Sequence, residues 1–122
     1  MPINQRLINI YKLWHGIRNH LPKNERAITT KVDSLFLETL ETIFIAKYLD
    51  KTKKIPFVEK AIGKLDLLKF ILQVSWQINI LESKQYIALS IPLNETGRML
   101  GGWKNKLLKE TSPDYPAHKK AG

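Results

Sequence analysis

The chain has 122 residues and no cysteine, and its 20 lysines and arginines against 11 aspartates and glutamates give a net charge of +9. This length suits a single domain that buries its own core, and a hydrophobic content of 43% is ordinary for a globular protein. The absence of cysteine excludes a disulfide scaffold, a thiolate zinc site and a cysteine nucleophile. The positive charge favours a polyanionic partner, either nucleic acid or an anionic membrane surface.

The two ends of the chain predict where the domain lies. Polar or charged residues interrupt the N-terminal apolar positions every two or three residues, which is not the pattern of a secretory signal. No stretch approaches the ~18 uninterrupted apolar residues of a membrane-spanning helix, so we expect a cytoplasmic protein. Residues 111–122 contain two prolines, two lysines and a glycine. We interpret them as a flexible basic tail that follows a domain of residues 1–110.

Helical periodicity begins at the N-terminus, where apolar residues recur every three or four positions. This pattern predicts a first helix over about residues 3–20, which Pro22 ends. Its apolar stripe consists of Leu7, Ile10, Tyr11, Trp14 and Ile17. A second helix is predicted to begin near Asn24, a plausible cap, and to last until the charged turn at residues 50–54.

The third predicted helix opens at Pro56 and is the most apolar of the chain. We expect its core positions to include Ile62, Leu65, Leu68, Phe70, Leu72, Trp76 and Ile80. A second apolar set widens the arc and consists of Leu67, Ile71, Val74 and Ile78. A helix that is apolar over so much of its circumference is covered on more than one side, so it is either central or meets another subunit.

The fourth predicted helix spans about residues 84–109, with Ser83 as its cap and only two or three residues between it and the third. Such a short link requires an antiparallel hairpin. Pro92 is expected to kink the helix near Ala88 or Leu89, because proline removes a backbone hydrogen bond. Gly97, Gly101 and Gly102 indicate close backbone packing near Trp103, or alternatively a break in the helix.

These elements predict an all-α fold, an antiparallel up-down-up-down four-helix bundle. The sequence lacks the alternating pattern of strands and the Asn-Gly turn of a hairpin. It also contains no repeat of 20–50 residues.

Motifs for catalysis or metal binding are missing from the sequence. His15 and His20 lie about 140° apart around a helix and share no face. His118 has no partner motif, and the glycines lack the preceding strand and lysine spacing of a phosphate-binding loop. We therefore predict no catalytic residue, no metal site and no cofactor.

The basic residues are the remaining functional signal. They are distributed over both ends of the expected bundle and along the third helix, and the sequence does not show one continuous stripe. Their positive field is expected to attract phosphates with an affinity that falls steeply with salt and with little sequence preference. Trp14, Trp76 and Trp103 are alternative stacking partners for bases. Because each lies on an apolar helical face, we expect them to pack in the core or in an interface.

Several segments resemble a known family. They are residues 65–70 (LDLLKF), 74–76 (VSW), 84–86 (KQY) and, most specifically, 97–103 (GRMLGGW). Together they are similar to the four-helix-bundle family that includes Avd, the accessory variability determinant of diversity-generating retroelements. The same superfamily contains proteins encoded in intervening sequences of bacterial 23S ribosomal RNA genes. The resemblance covers about residues 5–108.

The resemblance implies a non-catalytic, homopentameric bundle that binds RNA or DNA with low sequence specificity. It also implies a reverse transcriptase as partner, in the mutagenic copying of a template RNA into cDNA. The candidate nucleic-acid-binding residues are Arg18, Lys23, Arg26, Lys64, Lys69, Arg98, Lys104 and Lys106. Among these, Lys69 and Arg98 lie inside the matching segments. The alternatives are an intervening-sequence protein concerned with ribosomal RNA, or a protein-interaction bundle whose charge is incidental.

Overall fold

A computed structural model describes residues 2–113 of the chain. They form four α-helices, namely α1 (Ile3–Arg18), α2 (Arg26–Lys47), α3 (Lys51–Gln77) and α4 (Ser83–Glu110). Each of α1 and α3 packs against both α2 and α4. No strand occurs within residues 2–113. The predicted all-α four-helix bundle is confirmed.

The core lies along the axis of the bundle, where every helix contributes fully buried side chains. Leu7 and Trp14 of α1, Phe36 of α2, Leu65 of α3 and Leu100 of α4 all belong to one hydrophobic cluster. The stripe predicted for α1 is therefore correct, because the period of 3.6 residues places these side chains on one face. Because this apolar face packs against the other helices, the polar and charged residues on the opposite face of α1 remain exposed to solvent.

The beginning of α2 differs from the prediction, because a short 3-10 helix (Lys23–Glu25) precedes it. Asn24 lies within this 3-10 helix, and Glu25 stands at the N-cap of α2 without a side-chain capping bond. The prediction that Asn24 caps the helix is thus wrong.

The beginning of α3 also differs, since the helix starts at Lys51 and contains Pro56 in its interior. Asp50 adopts an extended conformation at the N-cap, and its carbonyl accepts backbone hydrogen bonds from Lys53 and Lys54. The charged segment that the sequence assigned to a turn is therefore the first turn of α3. Lysine is a good helix former, so a run of lysines does not by itself end a helix.

The link between α3 and α4 runs from Ile78 to Glu82 and is longer than predicted. Asn79 adopts a left-handed conformation with φ 65°, which asparagine tolerates at a helix end. Glu82 occupies the N-cap position of α4, where its backbone N–H donates to Gln85 Oε1 at 3.0 Å. Ser83 is the first residue of the helix and not its cap.

Helix α4 runs without interruption through Pro92 and all three glycines, so the alternative of a broken helix is excluded. A Cβ atom added at Gly97 would contact α3 at ordinary van der Waals distance, 3.6 Å from Leu65 Cδ2. Gly101 and Gly102 have no such neighbour within 4 Å among the described residues. The close packing expected for these two glycines is therefore absent.

Two large aromatic side chains that the sequence assigned to the core are exposed. Phe70 is 57% exposed and Trp76 is 37% exposed. Phe70 points away from the axis of the bundle, and Trp76 lies beside the buried row of α3, next to fully buried Ser75. None of the described helices is long and apolar enough to cross a membrane. The predicted tail lies, from residue 114 onward, outside the described residues.

Candidate nucleic-acid interface

Three of the predicted binding residues meet at the end of the bundle where α1 connects to α2. Arg18, Lys23 and Arg26 line a polar groove of about 610 Å³ together with Asp33. Arg18 forms an ion pair with Asp33 Oδ2. The same carboxylate accepts a hydrogen bond from the indole N–H of buried Trp14 at 2.7 Å. Arg18 is therefore neutralised within the fold, and only Lys23 and Arg26 offer exposed charge here.

Tyr11 lies close to this ion pair and stays neutral at physiological pH. Burial raises the pKa of Tyr11, the negative charge of Asp33 raises it further, and Arg18 opposes the rise. The ring packs at 5.2 Å from Phe36 between ring centres. Tyr11 thus contributes apolar packing beneath the groove and no charge.

Three further predicted lysines lie along the body of the bundle and have acidic partners. The pairs are Lys64–Glu38 at 3.7 Å, Lys69–Asp66 at 3.7 Å and Lys104–Glu59 at 3.8 Å. Lys64 reaches toward α2, whereas Lys104 joins α4 to α3, so these charges do not form one stripe. Arg98 lies exposed on α4 and pairs with no carboxylate among residues 2–113.

Four exposed lysines without ion-pair partners in the described part of the chain lie together where α2 ends, α3 begins and α4 ends, while other unpaired basic residues are spread over the rest of the surface. We call this surface the basic end and define it by the exposed side chains of Lys47, Lys53, Lys106 and Lys109. The ion pair between Lys51 Nζ and Glu110 Oε2, at 2.9 Å, joins the first turn of α3 to the last turn of α4. Within residues 2–113, none of the four defining lysines forms an ion pair, although Asp50 lies on the connecting segment.

Glu110 adds little negative potential to the basic end because its carboxylate is paired with the ammonium group of Lys51. The hydrogen bond from Lys51 lowers the pKa of Glu110, and the nearby charge of Lys106 lowers it further against the opposing effect of desolvation. The carboxylate is therefore ionised at physiological pH and committed to a cation of its own fold.

Lys54 has a structural role beside the basic end. Its ammonium group donates to the carbonyl oxygens of Ala46 at 2.9 Å and Lys47 at 2.8 Å. These carbonyls belong to the last turn of α2, whose final acceptors lack partners within the helix. Lys54 also lies 6.0 Å from the ring centre of Trp103. Its contacts join α2, α3 and α4 beside the basic end.

The tryptophans divide between core and surface. Trp14 is fully buried and Trp103 packs partly buried against the core, as predicted. Trp76 instead stacks on Tyr86, with 4.9 Å between ring centres and an angle of 6°. The most exposed aromatic side chain of the described residues is Tyr48, at 76%, and sequence reasoning did not consider it.

Sequence reasoning selected Lys104 and Lys106 but did not join them to the lysines of the α2–α3 connection. The missing information was the antiparallel return of α4, which places residues near 106 beside residues near 51. The predicted antiparallel topology already places the end of the fourth helix beside the start of the third. Comparing the charges at these two helix ends would therefore have identified the basic end from the sequence.

The described histidines do not gather with other metal ligands. His15 Nδ1 lies 3.5 Å from an Arg18 nitrogen, and its ring meets Tyr11 edge to face at 4.9 Å. Residues 2–113 contain no group of three or more histidine, aspartate or glutamate side chains placed to hold a metal ion. His118 lies outside these residues.

The sequence matches a model of a known protein family. A family model described as bAvd-like matches residues 1–107. No curated protein matches the chain. The matched range includes all four helices up to the last turn of α4.

Proposed function

The chain belongs to the bAvd-like family, and from this premise we propose that it is a non-catalytic, basic nucleic-acid-binding accessory protein of a diversity-generating retroelement. In this function it partners a reverse transcriptase during mutagenic cDNA synthesis and retrohoming. The nucleic acid is RNA or DNA, bound through its phosphates with low sequence specificity. The protein contributes contacts and no bond-making step.

The basic end is the observation that supports nucleic-acid binding most strongly. Its four defining lysines are exposed and lack carboxylate partners among residues 2–113, whereas Arg18, Lys64, Lys69 and Lys104 are paired. A concentration of unpaired ammonium groups attracts a phosphate backbone and releases its counterions. Solubility alone requires only a modest net charge, so it does not explain this concentration.

A salt titration tests the proposal directly. Fluorescence anisotropy with a labelled RNA and a DNA of equal length is measured at 50 and 300 mM salt. We expect binding at the lower concentration and a loss of affinity of a hundredfold or more at the higher one, as about three or four phosphate contacts require. No binding at low salt, or undiminished binding at high salt, would contradict phosphate-driven recognition.

Charge reversal then locates the contact surface. The triple variant Lys53→Glu, Lys106→Glu and Lys109→Glu is expected to weaken binding and to reduce the salt slope by roughly one unit for each lost phosphate contact. The matched control reverses Lys12, Lys31 and Lys84, which are exposed elsewhere and give the same net charge. An equal loss in both variants would mean that net charge alone, and not the basic end, governs binding.

The reverse transcriptase partner rests on the family and not on a contact in the structure. The genes beside this one provide the test. A reverse transcriptase gene and a template repeat in the neighbourhood support the proposal, whereas a position within a ribosomal RNA operon favours the intervening-sequence alternative. Copurification of the two proteins from a coexpression strain would then measure the interaction itself.

We also propose that the protein is a homo-oligomer, a pentamer as the family resemblance implies. The outer face of α3 supports self-association because it leaves Leu67 41% exposed and Val74 partly exposed, and Ile78, which follows the helix directly, is 53% exposed. A second copy would remove this apolar surface from water. Sedimentation velocity on the full chain is expected to show the oligomer, and Leu67→Ser with Ile78→Ser to dissociate it. A wild-type protein that sediments only as a monomer contradicts this proposal.

A further inference from the structure

A groove of about 290 Å³ lies between α3 and α4, at some distance from the basic end. Two aromatic side chains line it, Phe70 from α3 and Tyr86 from α4. Phe70 is 57% exposed, so its ring is free to contact a ligand. The combination of aromatic walls with polar groups between them is typical of sites that receive a flat heterocycle.

The ring of Tyr86 is held in place before any ligand arrives. Trp76 stacks on Tyr86 almost in parallel, at 6° and 4.9 Å between centres. The indole N–H of Trp76 donates to Ser83 Oγ at 3.0 Å. This arrangement fixes the stacked pair at the junction of α3 and α4. A preorganised ring loses less conformational freedom when it binds a ligand.

Three polar side chains in the groove have unused hydrogen-bonding capacity. Gln73, Ser90 and Asn94 line the groove, and their side chains make no hydrogen bond to another described residue. An amide offers both a donor and an acceptor, and a hydroxyl group offers either. The edges of nucleobases present the same mixture of donors and acceptors, so these groups are chemically suited to pair with a base.

Lys69 and Asp66 both line the groove, so it contains one positive and one negative side chain. Lys69 pairs with Asp66 at 3.7 Å in a partly exposed geometry. The ammonium group of Lys69 would lie 3.7 Å from a Cβ atom added at Gly97. The lack of a side chain at Gly97 therefore leaves room for the Lys69 side chain against α4. Arg98 follows Gly97 directly in the chain and is exposed on α4.

We propose that this groove receives an unstacked base of single-stranded nucleic acid, with Phe70 and Tyr86 contacting the base and Gln73 and Asn94 its polar edge. The inference rests on the proposed nucleic-acid-binding function and adds a preference for single strands. A duplex keeps its bases stacked and paired, so their faces are not available for stacking on protein side chains. The basic end therefore binds either form, whereas the groove distinguishes single strands.

The experiment compares three labelled ligands with the full chain by anisotropy: a thymidine 20-mer, an abasic 20-mer of equal charge, and a duplex. We expect the thymidine strand to bind about fivefold or more tightly than the abasic strand, which is the effect of stacking one base. Equal affinity for the two strands would overturn the groove assignment while leaving phosphate binding intact. Absence of binding to all three ligands at low salt would overturn the proposed function together with the groove.

Variants connect the preference to the groove. Phe70→Ala is expected to abolish the preference for thymidine over the abasic strand without changing the salt slope. Phe44→Ala is the matched control, since Phe44 is 54% exposed on α2. A second variant, Gln73→Ala with Asn94→Ala, tests the polar groups without removing an aromatic ring, and sedimentation confirms that each variant keeps its oligomeric state. A thymidine preference that survives both groove variants, or that Phe44→Ala removes equally, would overturn the inference.

Discussion

Trp14 is buried in the core and donates its indole N–H to Asp33 Oδ1 at 2.7 Å, while Arg18 holds the other oxygen of the same carboxylate. One acidic side chain thus satisfies a core donor and neutralises a surface cation. The charge of Arg18 alone suggests a residue of a binding surface. Its ion pair with Asp33 instead gives it a structural role.

Two substitutions of Asp33 separate these roles. Asp33→Ala leaves the Trp14 donor unsatisfied and is expected to lower the free energy of unfolding by about 1–3 kcal/mol. Asp33→Asn keeps an oxygen acceptor and is expected to lower it less. Both variants release Arg18, so both should bind RNA more tightly at low salt. Urea unfolding and anisotropy provide the two measurements.

The control for Asp33 is Glu41→Gln, which removes one exposed negative charge from α2 without releasing a paired cation. If Glu41→Gln strengthens RNA binding as much as Asp33→Asn does, the released Arg18 has no specific role. If the two Asp33 variants are equally destabilised, the hydrogen bond to Trp14 is not the reason for the loss.

The two tryptophans of α1 and α3 are expected to respond differently to truncation. Trp14→Ala removes a fully buried side chain and should lower the free energy of unfolding by about 3–5 kcal/mol. Trp76→Ala removes a partly exposed ring whose stacking on Tyr86 contributes about 0.5–1.5 kcal/mol beyond its area, so its effect should be clearly smaller. Denaturant midpoints of the two variants make the comparison, and equal losses would contradict the burial described here.

Lys54 and Lys53 are neighbours with different predicted effects on stability. Lys54→Met removes the hydrogen bonds to the carbonyls of Ala46 and Lys47 and is expected to lower the free energy of unfolding by about 1–2 kcal/mol. Lys53→Met changes an exposed side chain and should stay within about 0.5 kcal/mol of the wild type. Thermal and urea unfolding measure both variants, and similar stabilities would show that Lys54 does not fix the end of α2.

The glycines of α4 offer stabilising substitutions. Gly101→Ala and Gly102→Ala place a methyl group where no atom lies within 4 Å among the described residues. Each should raise the free energy of unfolding by about 0.4–1 kcal/mol, because alanine restricts the unfolded chain and favours the helix. Calorimetry on the single variants tests this expectation. A loss of stability would indicate that these positions approach another subunit.

Helical periodicity predicted the architecture well because burial of one face repeats along each helix. The stripe of Leu7, Ile10 and Trp14 is buried as expected. The same periodicity misplaced Trp76, since the buried row of α3 continues from Leu72 to the small polar residue Ser75 and leaves Trp76 beside it. Pro56 misled in a different way. Proline is favoured at the first position of a helix, but α3 begins at Lys51 and Pro56 lies in its interior, so the proline does not mark the start of that helix.

The candidate surface was less accessible to sequence reasoning than the fold was. The residue types Lys and Arg carry the charge, but their acidic partners decide which of them are available. Lys64 and Lys104 reach Glu38 and Glu59 on neighbouring helices, and such distances depend on helix rotation. Residue spacing along one chain does not determine that rotation.

The basic end also links ligand binding to folding. Lys53 and Lys109 are far apart in the chain, and the return of α4 brings their like charges to one surface only in the native state. Their mutual repulsion opposes the native state, and a polyanion that bridges them relieves it. Because such a ligand prefers the native chain, we expect the melting temperature to rise with the concentration of an added polyanion.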